Sequence, residues 1–306
     1  MSVDEPENAG MRGFIYGISA YLAWGIIPFY MKAVSHMPAI EVVAYRVLCS
    51  VPVAAVIILA LGRTADLKRA FASPRLLAAA ALTATLISIN WGIYVWSISV
   101  ERTVEAAFGY YINPLVSIML GAVFLGERFN RLQTVAIVLA VIAVAILTVH
   151  AGRLPWISLC LAFSFGFYGF FRKTMPIGPT QGFFLEVILL SVPSLILVLV
   201  LAREGTGHFL AGKPVDTWLL LLAGPVTAIP LILYAWGAKL LPLSTIGLMQ
   251  YVTPTMIFLI AVFVFREPFA VWQLVAFCFI WTALALYSWS TLKDVRARAR
   301  KAKIAV

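Results

Sequence analysis

Apolar positions in this chain come in long, nearly unbroken runs. They do not form the three-and-four stripe of a surface helix or the alternation of a half-buried strand. Ten runs can be marked, Gly13–Lys32, Ile40–Leu61, Leu76–Ile98, Val104–Leu125, Leu132–Val149, Leu154–Arg172, Gln181–Ala202, Thr217–Ala238, Ser244–Phe265 and Ala270–Ser290. Each is bounded by charge, Gly or Pro. A helix needs about 20 mostly apolar residues to cross a bilayer. The pattern therefore predicts an all-α polytopic membrane protein with ten transmembrane helices. The longest connections, near residues 62–75 and 203–216, leave no room for a soluble domain.

Composition agrees and narrows the function. The chain is 62% hydrophobic and 12% charged, against roughly 45–50% and about 25% in soluble domains. This excludes a water-soluble enzyme, a nucleic-acid-binding module and a disordered protein. The net charge of +10 matters through its placement. The amino tail and even-numbered loops hold sixteen Lys and Arg, the odd-numbered loops six. By the positive-inside rule both termini are expected in the cytoplasm. The basic end, Lys293 to Lys303, reads as an anchor against anionic membrane lipid. Nucleic acid is the lesser alternative, since no aromatics interleave with those charges. The acidic start, Asp4, Glu5 and Glu7, is not a secretory signal, so the first run is expected to stay as a helix. Cys49, Cys160 and Cys278 and His36, His150 and His208 are scattered, with no metal or cofactor motif among them.

The chain also repeats itself at a shift of about 140 residues. Tyr94 and Trp96 fall on Tyr234 and Trp236, Tyr111 and Pro114 on Tyr251 and Pro254, and Glu127, Phe129 and Gln133 on Glu267, Phe269 and Gln273. At a shift of 141, Ser50-Val51-Pro52 falls on Ser191-Val192-Pro193. Each half holds five helices, an odd number, so the halves must enter the membrane in opposite directions. The expected organisation is a tail over 1–12, two inverted five-helix repeats over 13–150 and 151–290, and a basic tail over 291–306. Such repeats mark secondary transporters and place the binding site near the midplane between the halves.

Polar residues at that depth are the candidates for binding. Pro114 and Pro254 interrupt the fourth and ninth runs at equivalent places and free the carbonyls of Tyr110 and Gln250. These are either cavity-lining breaks or kinks that shape packing. Asn113, Tyr111, Tyr251 and Thr253 beside them favour a cavity. Arg46 lies about 9 Å deep from one side and Glu186 about as deep from the other, at ~1.5 Å per residue. Some 12 Å of a ~30 Å core separates them, so they should not pair directly. Arg46 either serves the interior or snorkels, with Glu41, Glu101 and Glu105 as its nearest acids. Glu186 is either a proton-carrying carboxyl or a hydrogen-bonded structural one. Asn90, Tyr94 and Ser97 share a helix face that could hydrogen-bond a polar solute while Trp91 stacks on it. The alternative is helix–helix adhesion through Asn. Glu127 and Glu267 suit capping at helix ends, and Gly13, Gly17 and Gly25 suit close helix approach.

Together these stretches resemble the RarD group of EamA-type proteins. The resemblance is carried by Glu105-Ala-Ala-Phe-Gly-Tyr110-Tyr-Ile-Asn113-Pro114-Leu, Asn90-Trp91 with Tyr94-Val-Trp96, and Phe165-Gly-Phe-Tyr168-Gly-Phe-Phe-Arg172-Lys173. It implies the drug/metabolite transporter superfamily, a bacterial inner-membrane location and a link to chloramphenicol sensitivity. Tyr45 stands where the family pattern has His, which speaks against a His-based proton relay. The expected activity is secondary transport of a small metabolite or drug-like solute by alternating access, driven by a proton or solute gradient. No Gly-x-x-x-x-Gly-Lys-Ser/Thr is present for ATP. The binding set expected is Arg46, Asn90, Trp91, Tyr94, Tyr110, Asn113, Glu186, Gln250 and Tyr251, with no catalytic residue, metal or cofactor. The rivals are a scaffold that does not transport and an integral membrane enzyme acting on lipid-linked substrates.

Overall fold

The computed structural model describes residues 6–99, 103–150, 156–211, 213–264 and 270–304. The side chains of Glu101, Glu105, Glu267 and Phe269 lie outside this description. Among the described residues every regular element is helical. They are α1 (Pro6–Gly25), α2 (Ile27–Ala33), α3 (Ala39–Leu48), α4 (Ser50–Ala60), α5 (Thr64–Phe71), α6 (Pro74–Ser99), α7 (Thr103–Leu125), α8 (Arg131–His150), α9 (Trp156–Thr174), α10 (Pro179–Glu204), α11 (Pro214–Leu240), α12 (Leu243–Met249), α13 (Val252–Leu259) and α14 (Val271–Ile304). A π-helical turn, Ile260–Val264, extends α13.

Among the described residues, 8 helical stretches are long and apolar enough to cross a membrane, not the ten expected. The shortfall falls on the fourth and sixth runs. In α7 the apolar stretch among the described residues is Gly109–Leu125, because the side chains of 103–108 lie outside the description. In α9 the polarity decides. Ser158, Ser164, Tyr168 and Arg172 lie along it and all are buried. A helix that turns a polar face into protein does not need the uniform apolarity of one surrounded by lipid. The exterior elsewhere is a broad apolar belt, with Leu59, Val123, Val149, Val192, Trp218 and Val271 all more than three-fifths exposed. In water that surface would aggregate, whereas in a bilayer it faces its proper solvent. The molecule is an integral membrane protein.

Proline sets three of the bends. The first run breaks at Ile26, where Pro28 opens α2. The second breaks at Cys49, because Pro52 offers no amide hydrogen to the Leu48 carbonyl. Ser50 Oγ reaches back to the Arg46 carbonyl at 2.5 Å and across to the Gly224 carbonyl at 3.2 Å. The ninth run breaks at Gln250–Tyr251, one turn before Pro254. There the Gln250 carbonyl is not left free, since the Thr253 amide donates to it at 3.1 Å. The fourth run behaves differently: α7 stays helical through Pro114.

The helix contacts follow a regular scheme. α1 packs on α11 and α9 on α6. α7 packs on α9 and α1 on α13. α10 packs on α6 and α11 on α3. Three further contacts, α10 with α3 and α4, α12 with α7, and α14 with α8, join runs five places apart. Exchanging each run for the one five places along the chain maps this set onto itself. At the α7 crossing Tyr251 Oη donates to the Tyr111 carbonyl at 3.0 Å, so two residues matched at the 140-residue shift meet each other.

Candidate functional site

The second run contributes Arg46 from the last turn of α3, just before the Cys49 bend. The bend presses on α11 so closely that a Cβ at Gly224 would stand 2.2 Å from the Cys49 carbonyl oxygen. That approach sets the next turn of α11 against Arg46. Its Nε donates to Thr227 Oγ1 at 2.9 Å. The guanidinium carbon lies 4.8 Å from the centroid of the Trp91 ring on α6, a cation–π distance. The phenols of Tyr30, Tyr94 and Tyr110 are within electrostatic reach of the same charge. Tyr94 and Tyr110 meet edge to face at 6.2 Å, and Tyr30 Oη donates to the Leu219 carbonyl at 3.1 Å. Arg46, Trp91, Tyr94 and Tyr110, expected from sequence, thus form one cluster of a cation and aromatic walls. Arg46 is only partly buried and Tyr110 is 42% exposed, so the cluster is not sealed within the bundle core.

Thr227 and Tyr30 were not among the expected residues. A single Thr in an apolar helix ordinarily bonds its own preceding turn. The available signal was its setting, between Gly224-Pro225 and Pro230 in the middle of a run. Tyr30, by contrast, had no signal beyond its nearness to Pro28.

The other expected residues lie elsewhere. Asn90 Nδ2 donates to the Leu161 carbonyl and to Ser164 Oγ, both at 2.9 Å, and ties α6 to α9. Asn113, Gln250 and Tyr251 lie at the α7–α12–α13 crossing. Tyr251 is fully buried and bonded to α7. Asn113 is buried with Oδ1 unpartnered among the described residues.

Glu186 does not meet Arg46. Its Oε1 accepts from Arg172 Nη1 at 3.3 Å and its Oε2 from Tyr168 Oη at 3.2 Å, with the Thr83 hydroxyl beside it. Arg172 Nη2 also donates to the Pro179 carbonyl. Arg172 is 2% exposed and so is Glu186. Arg172 is therefore a buried partner of Glu186, not the loop charge counted from the sequence.

Each end of the bundle carries charge-assisted bonds between helices. At one, Glu127 accepts from the Leu243 amide at 2.5 Å, the Ser244 amide at 2.9 Å and Ser244 Oγ at 2.5 Å. A carboxylate is well placed there, because the first amides of α12 have no partner within the helix. Lys173 Nζ donates to the carbonyls of Ala238 and Leu241, and Lys239 Nζ to that of Met175. At the other end Glu41 accepts from the His208 amide at 2.7 Å and faces its Nδ1 at 2.8 Å. His36 Nε2 meets Asp216 Oδ1 at 3.0 Å, and the two imidazoles lie 6.1 Å apart. The sequence, with these histidines 172 positions apart, had given no sign of that pairing.

A helical membrane protein whose interior gathers a partly buried cation beside aromatic rings, with polar ties between helices at both ends, has the architecture of a membrane transporter. The chain belongs to the EamA-like transporter family, whose profile matches it twice, over residues 11–149 and 154–289. It is 40% identical over 295 residues to a protein named RarD from Streptomyces exfoliatus, covering 96% of this chain and 94% of that one. It is 38% identical over 277 residues to the RarD protein of Escherichia coli K12, covering 90% and 93%. A solved crystal structure superposes with a TM-score of 0.71 at 16% identity, covering 91% of this chain and 97% of that one. That last likeness shows a shared fold alone.

Proposed function

We propose that the protein is a secondary active permease. It moves a small metabolite or drug-like solute across the bacterial inner membrane by alternating access. Its ten helices form two inverted five-helix repeats over 13–150 and 151–290, with both termini cytoplasmic. The doubled family match, the self-mapping contact scheme and the Tyr111–Tyr251 contact support this organisation. On this reading the Glu127 end faces the cytoplasm and the Glu41–His208 end faces outward.

The observation that carries the reading is the Arg46 cluster. It draws Arg46, Trp91, Tyr94 and Tyr110 from the first half and Thr227 from the second. A site shared by both halves changes its access when the halves rock. A charged side chain inside a membrane bundle is costly to keep, at about 2.5–3.5 kcal/mol on insertion scales, and marks a solute or ion path. The absence of an ATP motif leaves an ion or solute gradient as the driving force. Purified protein in proteoliposomes should take up at least one member of a panel of organic acids, amino acids, nucleosides and amphenicols. Arg46→Ala should abolish that flux while the protein still elutes as a folded species. Wild-type vesicles that move none of the panel would remove the support for transport.

A further inference from the structure

Resting on the permease reading, we propose that the Arg46 cluster takes an organic monoanion, a carboxylate carried on a flat apolar or aromatic body. A guanidinium has five N–H donors in a planar fork. Here Nε is used by Thr227, and no described residue accepts from the two Nη groups. No described carboxylate lies within ion-pair distance of Arg46, whereas Arg172 has Glu186. Arg46 is only partly buried, so the free edge of the fork is not enclosed on every side.

A half-buried cation whose free edge meets no acceptor among the described residues is a receptor for an anion, and a carboxylate fits that edge bidentately. Thr227 and the Trp91 face fix the plane of the fork in advance, so little side-chain entropy remains to be lost on binding. The count of cations then selects the anion. One guanidinium without a second Lys or Arg among its described neighbours matches a single negative charge better than a phosphate dianion. The walls select the body. Trp91, Tyr94 and Tyr110 offer rings and edges that suit a flat apolar group. No described carboxylate joins the cluster to hold an ammonium, so a plain acid should be preferred to a zwitterion of the same shape.

The test is equilibrium binding to the full chain in detergent, followed by quenching of tryptophan fluorescence and checked by isothermal titration. The probes are 3-phenylpropanoate and indole-3-acetate, their primary amides, phenylalanine, and inorganic phosphate. The expected result is saturable binding of at least one acid, with its amide, phenylalanine and phosphate each weaker by about tenfold or more, the worth of one charge-assisted hydrogen bond. Arg46→Gln should lose the preference of acid over amide. Wild-type protein alone decides the matter if that variant does not fold. An amide or phenylalanine that binds as well as the acid, phosphate that binds best, or neither acid binding at all, overturns the proposal. Binding needs no flux, so the two readings fail separately. Selective acid binding without uptake in vesicles counts against the permease and leaves the anion site standing. Uptake of neutral solutes alone, with no acid bound, does the reverse.

Discussion

Arg46 and Arg172 show how one residue type takes two roles from its surroundings. Arg46 is half-buried, held by a hydroxyl and a ring, and its outer nitrogens meet no acceptor among the described residues. Arg172 is almost wholly buried and divided between Glu186 and the Pro179 carbonyl. The first arrangement suits a ligand and the second suits a fixed joint between α9 and α10. Removing one partner of a buried ion pair leaves a charge without compensation, at roughly 3–5 kcal/mol, whereas removing both can be close to neutral. Arg172→Met and Glu186→Gln should each lower the unfolding temperature in detergent markedly. The double variant should fall by less than the sum of the two. Additive losses would show that the pair is not coupled. Much of this was legible in part only. Charge depth along the second and seventh runs marked Arg46 and Glu186 and kept them apart. The partners of each were hidden. Thr227 is a small hydroxyl in an apolar helix, and Arg172 stands near a helix end, where a basic residue usually reports sidedness. Arg172 is inside because it reaches across the short 175–178 connection to Glu186 and to the Pro179 carbonyl at the start of α10.

At the scale of elements, bends and caps position the side chains. The Cys49 bend depends on Pro52 within α4 and on the bare Gly224 surface of α11. Gly224→Ala would drive a methyl into the Cys49 carbonyl, and overpacking of this kind destabilises by about 1–3 kcal/mol. Because Thr227 lies one turn away, the variant should also weaken uptake. Gly92→Ala is the control. No described residue stands within 4 Å of a Cβ there, and the helix gains about 1 kcal/mol of propensity. A Gly224 variant as stable and active as wild type would contradict this role for the bend. Glu127 is the second such device. Glu127→Gln keeps the shape but loses charge at the α12 amides, so the melting temperature should fall by an amount equivalent to about 1–2 kcal/mol. The sequence placed Glu127 as a cap, since it follows a run of apolar helix and a Gly. It gave no hint that the capped helix would be α12, which begins 116 residues later. The bends were legible unevenly. Pro254 marks a real break in the ninth run, whereas α7 remains helical through its counterpart Pro114. Proline fixes a lost donor, and the neighbouring packing decides whether the helix gives way.

At the scale of the whole molecule, the bundle is one scheme of contacts used twice. Membrane identity was readable from apolar runs alone, because each run is long enough to need no partner to explain it. The number of spans was less legible, since α9 trades apolarity for a buried polar face. The pairings at the two ends were not legible, because the groups that form them, such as Glu41 with His208 and Lys173 with Leu241, come from distant runs. They divide the molecule into two ends, and the site lies on helices that both halves supply. Alternating access requires that the two ends open in turn, each closed while the other is open.

The most direct measurement is a pair of spin-label distances on the protein in lipid nanodiscs. Labels at the exposed positions Ser35 and Ala211 report one end, and labels at Arg128 and Pro242 report the other. The account predicts two populations at each end, with conditions that lengthen one distance shortening the other. A single fixed distance at both ends across changes of solute, pH and ion gradient would contradict it.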